Sequence, residues 1–138
     1  MSASGAFTLS KEERICSRKL MEKLFNGGGS HSMSAYPLRV VYMSEEHGET
    51  ADGTKEPQAQ MLISVPKRYF KRAVKRNRVK RQVREAYRKN KHAMLSHLEA
   101  SPGKTVYMAF IWLEDNLHDS DFVEKRVQNL LSRIVEKL

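Results

Sequence analysis

Cys16 is the only cysteine in 138 residues, so no disulfide closes within the chain. With no Cys or His neighbour at ligand spacing, it nucleates no zinc site either. A lone thiol fits a reducing compartment, and Cys16 reads as a small apolar filler rather than a nucleophile. No apolar run approaches the roughly 20 residues that span a bilayer, and residues 1–6 lack a charged-then-apolar leader pattern. The expectation is a cytoplasmic protein with no membrane partner. His31, His47, His92, His97 and His118 are scattered, with no second His or Cys three or four residues on, so no metal or cofactor held by the protein alone is expected. Gly27 to Gly29 are not followed by the Lys-Ser/Thr of a phosphate-cradling loop. Glu114-Asp115 reads as a turn, and no carboxylate pair is placed to hold a catalytic metal.

Acids are scarcest where bases are densest. Residues 67–91 hold 13 Lys or Arg against the single acid Glu85, a charge of +12, while the rest of the chain carries −3. A basic block on a slightly acidic remainder marks a footprint for a polyanion, nucleic acid first among them. The 40% of apolar residues exceeds what a disordered chain carries, and the length suits one domain spanning 1–138. The free protein is expected to be monomeric.

Hydrophobic periodicity supplies the elements. Ser17 to Phe25 predicts a short helix capped by Ser17, with Leu20, Met21, Leu24 and Phe25 on one face. Ser30 to Ala35 is small and polar, and Tyr36 to Met43 predicts a strand. Residues 44–57, rich in Glu, Asp and Gly, predict a mobile loop, and residues 1–6 a flexible terminus. Met61 to Pro66 predicts a second strand and Lys104 to Leu113 a third with two apolar faces, buried on both sides or keeping one for a ligand. A long helix over about 72–98 precedes Ser101-Pro102-Gly103. A last helix starts near Asp121, capped by Ser120 or Asp121, with Val123, Val127, Leu130, Leu131, Ile134 and Leu138 as its buried stripe. The order is helix, strand, strand, helix, strand, helix.

On a wheel at about 100° per residue, Val79, Val83, Ala86 and Tyr87 fill an arc of about 100° that suits a core. Lys80, Arg84, Asn77, Arg88 and Arg81 fill the next arc. Arg76, Lys80, Arg84 and Arg88 form three successive i, i+4 pairs of like charge, each costing roughly 0.2–0.5 kcal/mol in an isolated helix. A solvated face interleaves Glu with Lys, so this one expects its counter-charge from outside. Phosphates supply it, and the guanidinium fork suits them.

These residues carry a resemblance. The segment Leu62-Ile-Ser-Val-Pro-Lys67, then Arg72-Ala-Val-Lys-Arg-Asn-Arg-Val-Lys-Arg81 and Val83-Arg-Glu-Ala-Tyr-Arg88, resembles the signature of the bacterial ribonuclease P protein family. Its centre is the R-N-R element at Arg76, Asn77 and Arg78. The likeness in organisation runs from about Phe7 to the carboxyl terminus, with two departures: a longer acidic loop, and Met21 where the family often has phenylalanine.

The resemblance implies an α+β fold, a single-domain α/β sandwich on a central sheet, whose long basic helix lies in a left-handed β-α-β crossover; right-handed crossovers prevail in about 98% of cases. It implies a subunit of an endoribonuclease that removes the 5′ leader of precursor tRNA. Catalysis would belong to the RNA subunit and its magnesium ions, with no catalytic side chain in the protein. The partners implied are ribonuclease P RNA, on Lys67, Arg68, Lys71, Arg72, Lys75, Arg76, Asn77, Arg78, Lys80, Arg81, Arg84 and Arg88, and the precursor tRNA leader, in a cleft walled by Met21 and Phe25. Without the resemblance, the same helix equally suits an RNA-binding module with no cleavage role, such as a ribosome-associated protein or RNA chaperone.

Overall fold

The computed structural model describes residues 18–26, 29–46, 59–99 and 104–137. Seven elements follow in order: α1 (Arg18–Asn26), β1 (His31–Ala35), β2 (Leu38–Glu46), β3 (Ala59–Ser64), α2 (Ala73–Leu98), β4 (Lys104–Trp112) and α3 (Ser120–Lys137). The strands form one sheet in the order β1-β2-β4-β3. β1 and β2 pair antiparallel, as do β2 and β4, whereas β3 and β4 are parallel neighbours joined through α2. Parallel neighbours need a long crossover, and here the basic helix is that crossover.

The structure adds one strand to the expected order. Ser30 to Ala35, read as small and polar, contains strand β1, which turns at Tyr36-Pro37 into β2 with Ala35 opposite Leu38. The expected strand start at Tyr36 therefore moves to Leu38. Backbone pairing with β2, the bond from Arg133 Nη1 to Ser34 O at 2.8 Å and the contacts of Met33 and Ala35 with the core hold this edge strand. β2 also extends through Glu46, so residues 44–46 of the expected acidic loop are strand, and β3 lies at 59–64 rather than 61–66. The expected features at residues 1–17, 47–57 and 101–103, Cys16 and the Ser17 cap among them, lie outside the described residues.

Alternation along β4 separates two apolar layers. Val106, Met108, Phe110 and Trp112 face α2 and α3, joining Val79, Val83, Ala86, Tyr87, Val123, Val127, Leu130 and Ile134, all 0–1% exposed. Tyr107 and Ala109 face the other way and meet Leu24 of α1 with Val41 and Met43 of β2. Each face of the strand thus has its own helical cover. α3 begins at a cap: the Phe122 N–H donates to Asp119 Oδ1 at 2.8 Å. Asp119 takes the role expected of Ser120 or Asp121, because a side chain one residue before the helix reaches the third N–H while those inside the first turn do not.

Candidate RNA interface

Helix α2 presents its core stripe as the wheel requires and leaves the neighbouring arc outside. Asn77, Arg78 and Arg81 are exposed, and Lys80 and Arg84 are half-buried. Arg72, Lys75, Arg78, Lys80, Arg81 and Arg84 make no ion pair with any acid among the described residues. The exception within the arc is Arg88, whose Nη2 donates to Glu85 Oε2 at 2.6 Å. That hydrogen bond holds the Glu85 carboxyl below its ordinary pKa despite partial desolvation. Lys89 lies 3.8 Å from Glu124, and Lys91, counted in the basic block, is buried. The cations left facing water cluster from Arg72 to Arg84, on the first half of the helix.

The amino-terminal end of α2 adds to the same field. Arg72 at the cap makes no side-chain capping bond, and the first turn holds no acid. Free N–H groups and the positive end of the helix dipole therefore meet Lys75 and Arg76, an arrangement that disfavours the free helix and favours a bound anion.

Arg76 has a different duty from its neighbours. Its Nη1 donates to the carbonyls of Phe70 at 2.7 Å and Lys71 at 2.9 Å. Phe70 is buried in the core, and the Tyr69 N–H closes a turn on Pro66 O at 3.1 Å. The strand-to-helix loop is thus pinned at three points, which leaves Lys67, Arg68, Lys71 and Arg72 exposed in a fixed arrangement. Around the wheel Arg76 falls between Val83 and Tyr87, on the core arc. Arg76→Ala combined with Arg72→Ala should show a coupling of about 0.5–3 kcal/mol in RNA affinity, whereas Arg76→Ala with Arg84→Ala, roughly 12 Å along the helix, should be additive within about 0.5 kcal/mol. Additivity in both cycles would show that Arg76 does not act through the loop.

The comparisons with known proteins decide the family. The ribonuclease P family model matches residues 9–135. Two relatives named Ribonuclease P protein component, from Porphyromonas gingivalis strains ATCC 33277 and W83, are each 42% identical over 137 residues, covering 97% of this chain and 91% of the relative. The chain belongs to the ribonuclease P protein family. It is a protein component of ribonuclease P, a tRNA-processing ribonucleoprotein endoribonuclease, and it works with the ribonuclease P RNA, which sets aside the general RNA-binding module. The fold agrees: the Staphylococcus aureus RNase P protein superimposes with a TM-score of 0.62 at 17% identity, covering 88% of this chain and 94% of that one. The RNase P protein from Thermotoga maritima gives 0.61 at 22%, covering 88% and 96%.

On the opposite sheet face of this ribonuclease P protein, α1 lies over β2 and β4. Leu24 is fully buried, Met21 is half-buried against the same cluster, and Phe25, at the edge of the apolar arc, is 46% exposed. The Lys23 ammonium pairs with Glu45 of β2 and fixes the helix laterally. Beyond the Leu24 contacts, the register aligns Ser34, Arg39, Ile111 and Ser64 in one row across four strands. Arg39 is exposed on that row, and Ile111 and Ser64 are half-buried. Arg39 was missed in the sequence because only the packing of Val41 and Met43 on Leu24 shows which face of β2 meets α1. Its alternation with Val41 and Met43 was the available signal. Gln82 was missed as well: buried on α2, its Nε2 donates to His118 O at 2.8 Å, tying the basic helix to the loop before α3. Glu114, read as part of a turn, pairs with His118 Nε2 in that loop.

Proposed function

We propose that the protein docks on ribonuclease P RNA through the 66–72 loop and the first half of α2, and holds the 5′ leader of precursor tRNA on the sheet face beside α1. The observation that carries this reading is the outward row of cations from Arg72 to Arg84, unmatched by acids of the described residues. Lys67, Arg68, Lys71, Arg72, Lys75, Arg78, Lys80, Arg81 and Arg84 neutralise phosphates, with Asn77 fixing local geometry. Arg76 holds the loop, and Arg88 contributes once released from Glu85. In the leader cleft Phe25 offers a ring face to an unpaired base, Met21 lines the wall, and Arg39 stands where a leader phosphate passes. Aromatic platforms accept any base, which suits leaders of varied sequence.

Cleavage of the leader, in this reading, belongs to the RNA and the magnesium ions bound to it, while the protein binds and positions. The free protein is monomeric and works in the cytoplasm; among the described residues no helix is long and apolar enough to cross a membrane. The experiment mixes purified protein, ribonuclease P RNA and precursor tRNA at low magnesium. Restored cutting at the mature 5′ end is expected. Phe25→Ala should weaken precursor binding by about 5-fold or more, the loss of one stacked base, and leave mature tRNA binding unchanged. Cleavage by the protein without RNA, or equal loss for both tRNAs, would overturn the assignment.

A further inference from the structure

One aromatic surface belongs neither to the α1 cleft nor to the helical stripe. Tyr36, at the β1–β2 turn, is 63% exposed, whereas Tyr42, Tyr87 and Tyr107 are 6%, 0% and 4% exposed. No ring of the described residues stacks on it. Its backbone is nevertheless fixed from two sides. Arg126 Nε of α3 donates to Tyr36 O at 3.0 Å, and the Leu113 N–H donates to Pro37 O at 2.8 Å. The register pairs Leu38 with Trp112 and Ser64 with Ile111, so the Tyr36 turn and the loop that carries Tyr69 leave the sheet at the same end. Partial desolvation and then the Glu114 carboxylate hold the Tyr36 hydroxyl above its ordinary pKa. Tyr69 itself carries the Arg68 guanidinium 4.9 Å from its ring centroid.

We propose that Tyr36, Tyr69 and Arg68 form a stacking site for one unpaired base of the ribonuclease P RNA. Ring faces and a guanidinium plane are the groups that hold splayed-out bases, and a pinned turn presents such a ring without an ordering cost on binding. Glu114 and Asp115 follow the Leu113 N–H that bonds Pro37 O, and carboxylates there disfavour a phosphate but can accept the N–H edge of a base. The base comes from the RNA subunit because the platform continues the 66–72 loop and is tied to α3, on the sheet face opposite α1. The site rests on the docking of α2 proposed above.

The test measures affinity for ribonuclease P RNA across a salt series. Tyr36→Leu should weaken binding by about 5- to 100-fold, the loss of one stacked base, with the salt slope unchanged because no phosphate contact is removed. Tyr36→Phe and Tyr36→Trp should keep wild-type affinity, which a hydroxyl staple to Glu114 would not allow, and they serve if the leucine variant folds poorly. Arg78→Ala with Arg84→Ala is the control and should flatten the slope. Wild-type binding by Tyr36→Leu beside a weakened control overturns the stacking site and leaves the α2 docking intact. Wild-type binding by both overturns the docking and the site with it. A loss confined to precursor tRNA, with RNA-subunit affinity unchanged, assigns the base to the substrate and also overturns the proposal.

Discussion

The variant carrying Arg78→Ala, Arg81→Ala and Arg84→Ala should bind ribonuclease P RNA on the order of 100- to 1000-fold more weakly, since a hydrogen bond to a charged group contributes about 1.5–3 kcal/mol before screening by salt. Its plot of log affinity against log salt should be shallower by about 2 to 3, because each lost phosphate contact removes roughly 0.7–0.9 from the slope. The free protein should move in the opposite direction. Alanine is the strongest helix former, and Arg84→Ala removes two like-charge i, i+4 contacts, with Lys80 and Arg88, at roughly 0.2–0.5 kcal/mol each. Thermal unfolding of the free variant should therefore occur at the wild-type temperature or slightly above it. Weaker binding with an unchanged slope would mean that these arginines do not meet phosphate. Weaker binding with a lower unfolding temperature would mean that the loss comes through the fold.

Phe110→Ala should cost about 3–5 kcal/mol of stability, a large part of the 5–15 kcal/mol typical of a domain. Phe110 is fully buried at the centre of the sheet, opposite Val40 on β2 and Ile63 on β3. Its ring meets Tyr87 of α2 edge-on at 6.2 Å and 60°. The substitution thus empties a cavity directly beneath the basic helix and removes an aromatic pair worth about 0.5–1.5 kcal/mol beyond area burial. Urea unfolding reads the effect as a lower midpoint at constant slope. Ile111→Ala, one residue along but half-buried on the α1 face, should cost distinctly less. Equal costs would contradict the two-layer division of the core.

Patterns with a local cause were readable in the chain. Val79, Val83, Ala86 and Tyr87 are all fully buried because helical spacing is set within a few residues and the core needs one continuous face. The two-faced character of β4 was readable for the same reason, although only the structure shows that α1 is the second cover. Strand β1 was not readable. Its alternation, Ser32-Met33-Ser34-Ala35, is short and weakly apolar, and its place depends on pairing with Leu38 to Tyr42. Pro37 was the overlooked clue, since proline rarely sits inside a strand and commonly marks a turn. The proposed interface was legible in outline and blurred in its roles. Charge density marked residues 67–91, but Arg76, Arg88 and Lys91 look like their neighbours in composition and differ in direction. A guanidinium on the core arc at a helix start finds carbonyls before it finds solvent. Arg88 has an acid three residues behind it, where side chains on a helix meet.

The uncapped, acid-free start of α2 also bears on the life of the protein before it meets its partner. A chain that carries its own electrostatic discomfort is most vulnerable while alone, and any species that binds only the folded form protects it by mass action. Copies made in excess of the RNA should be the first that proteases remove.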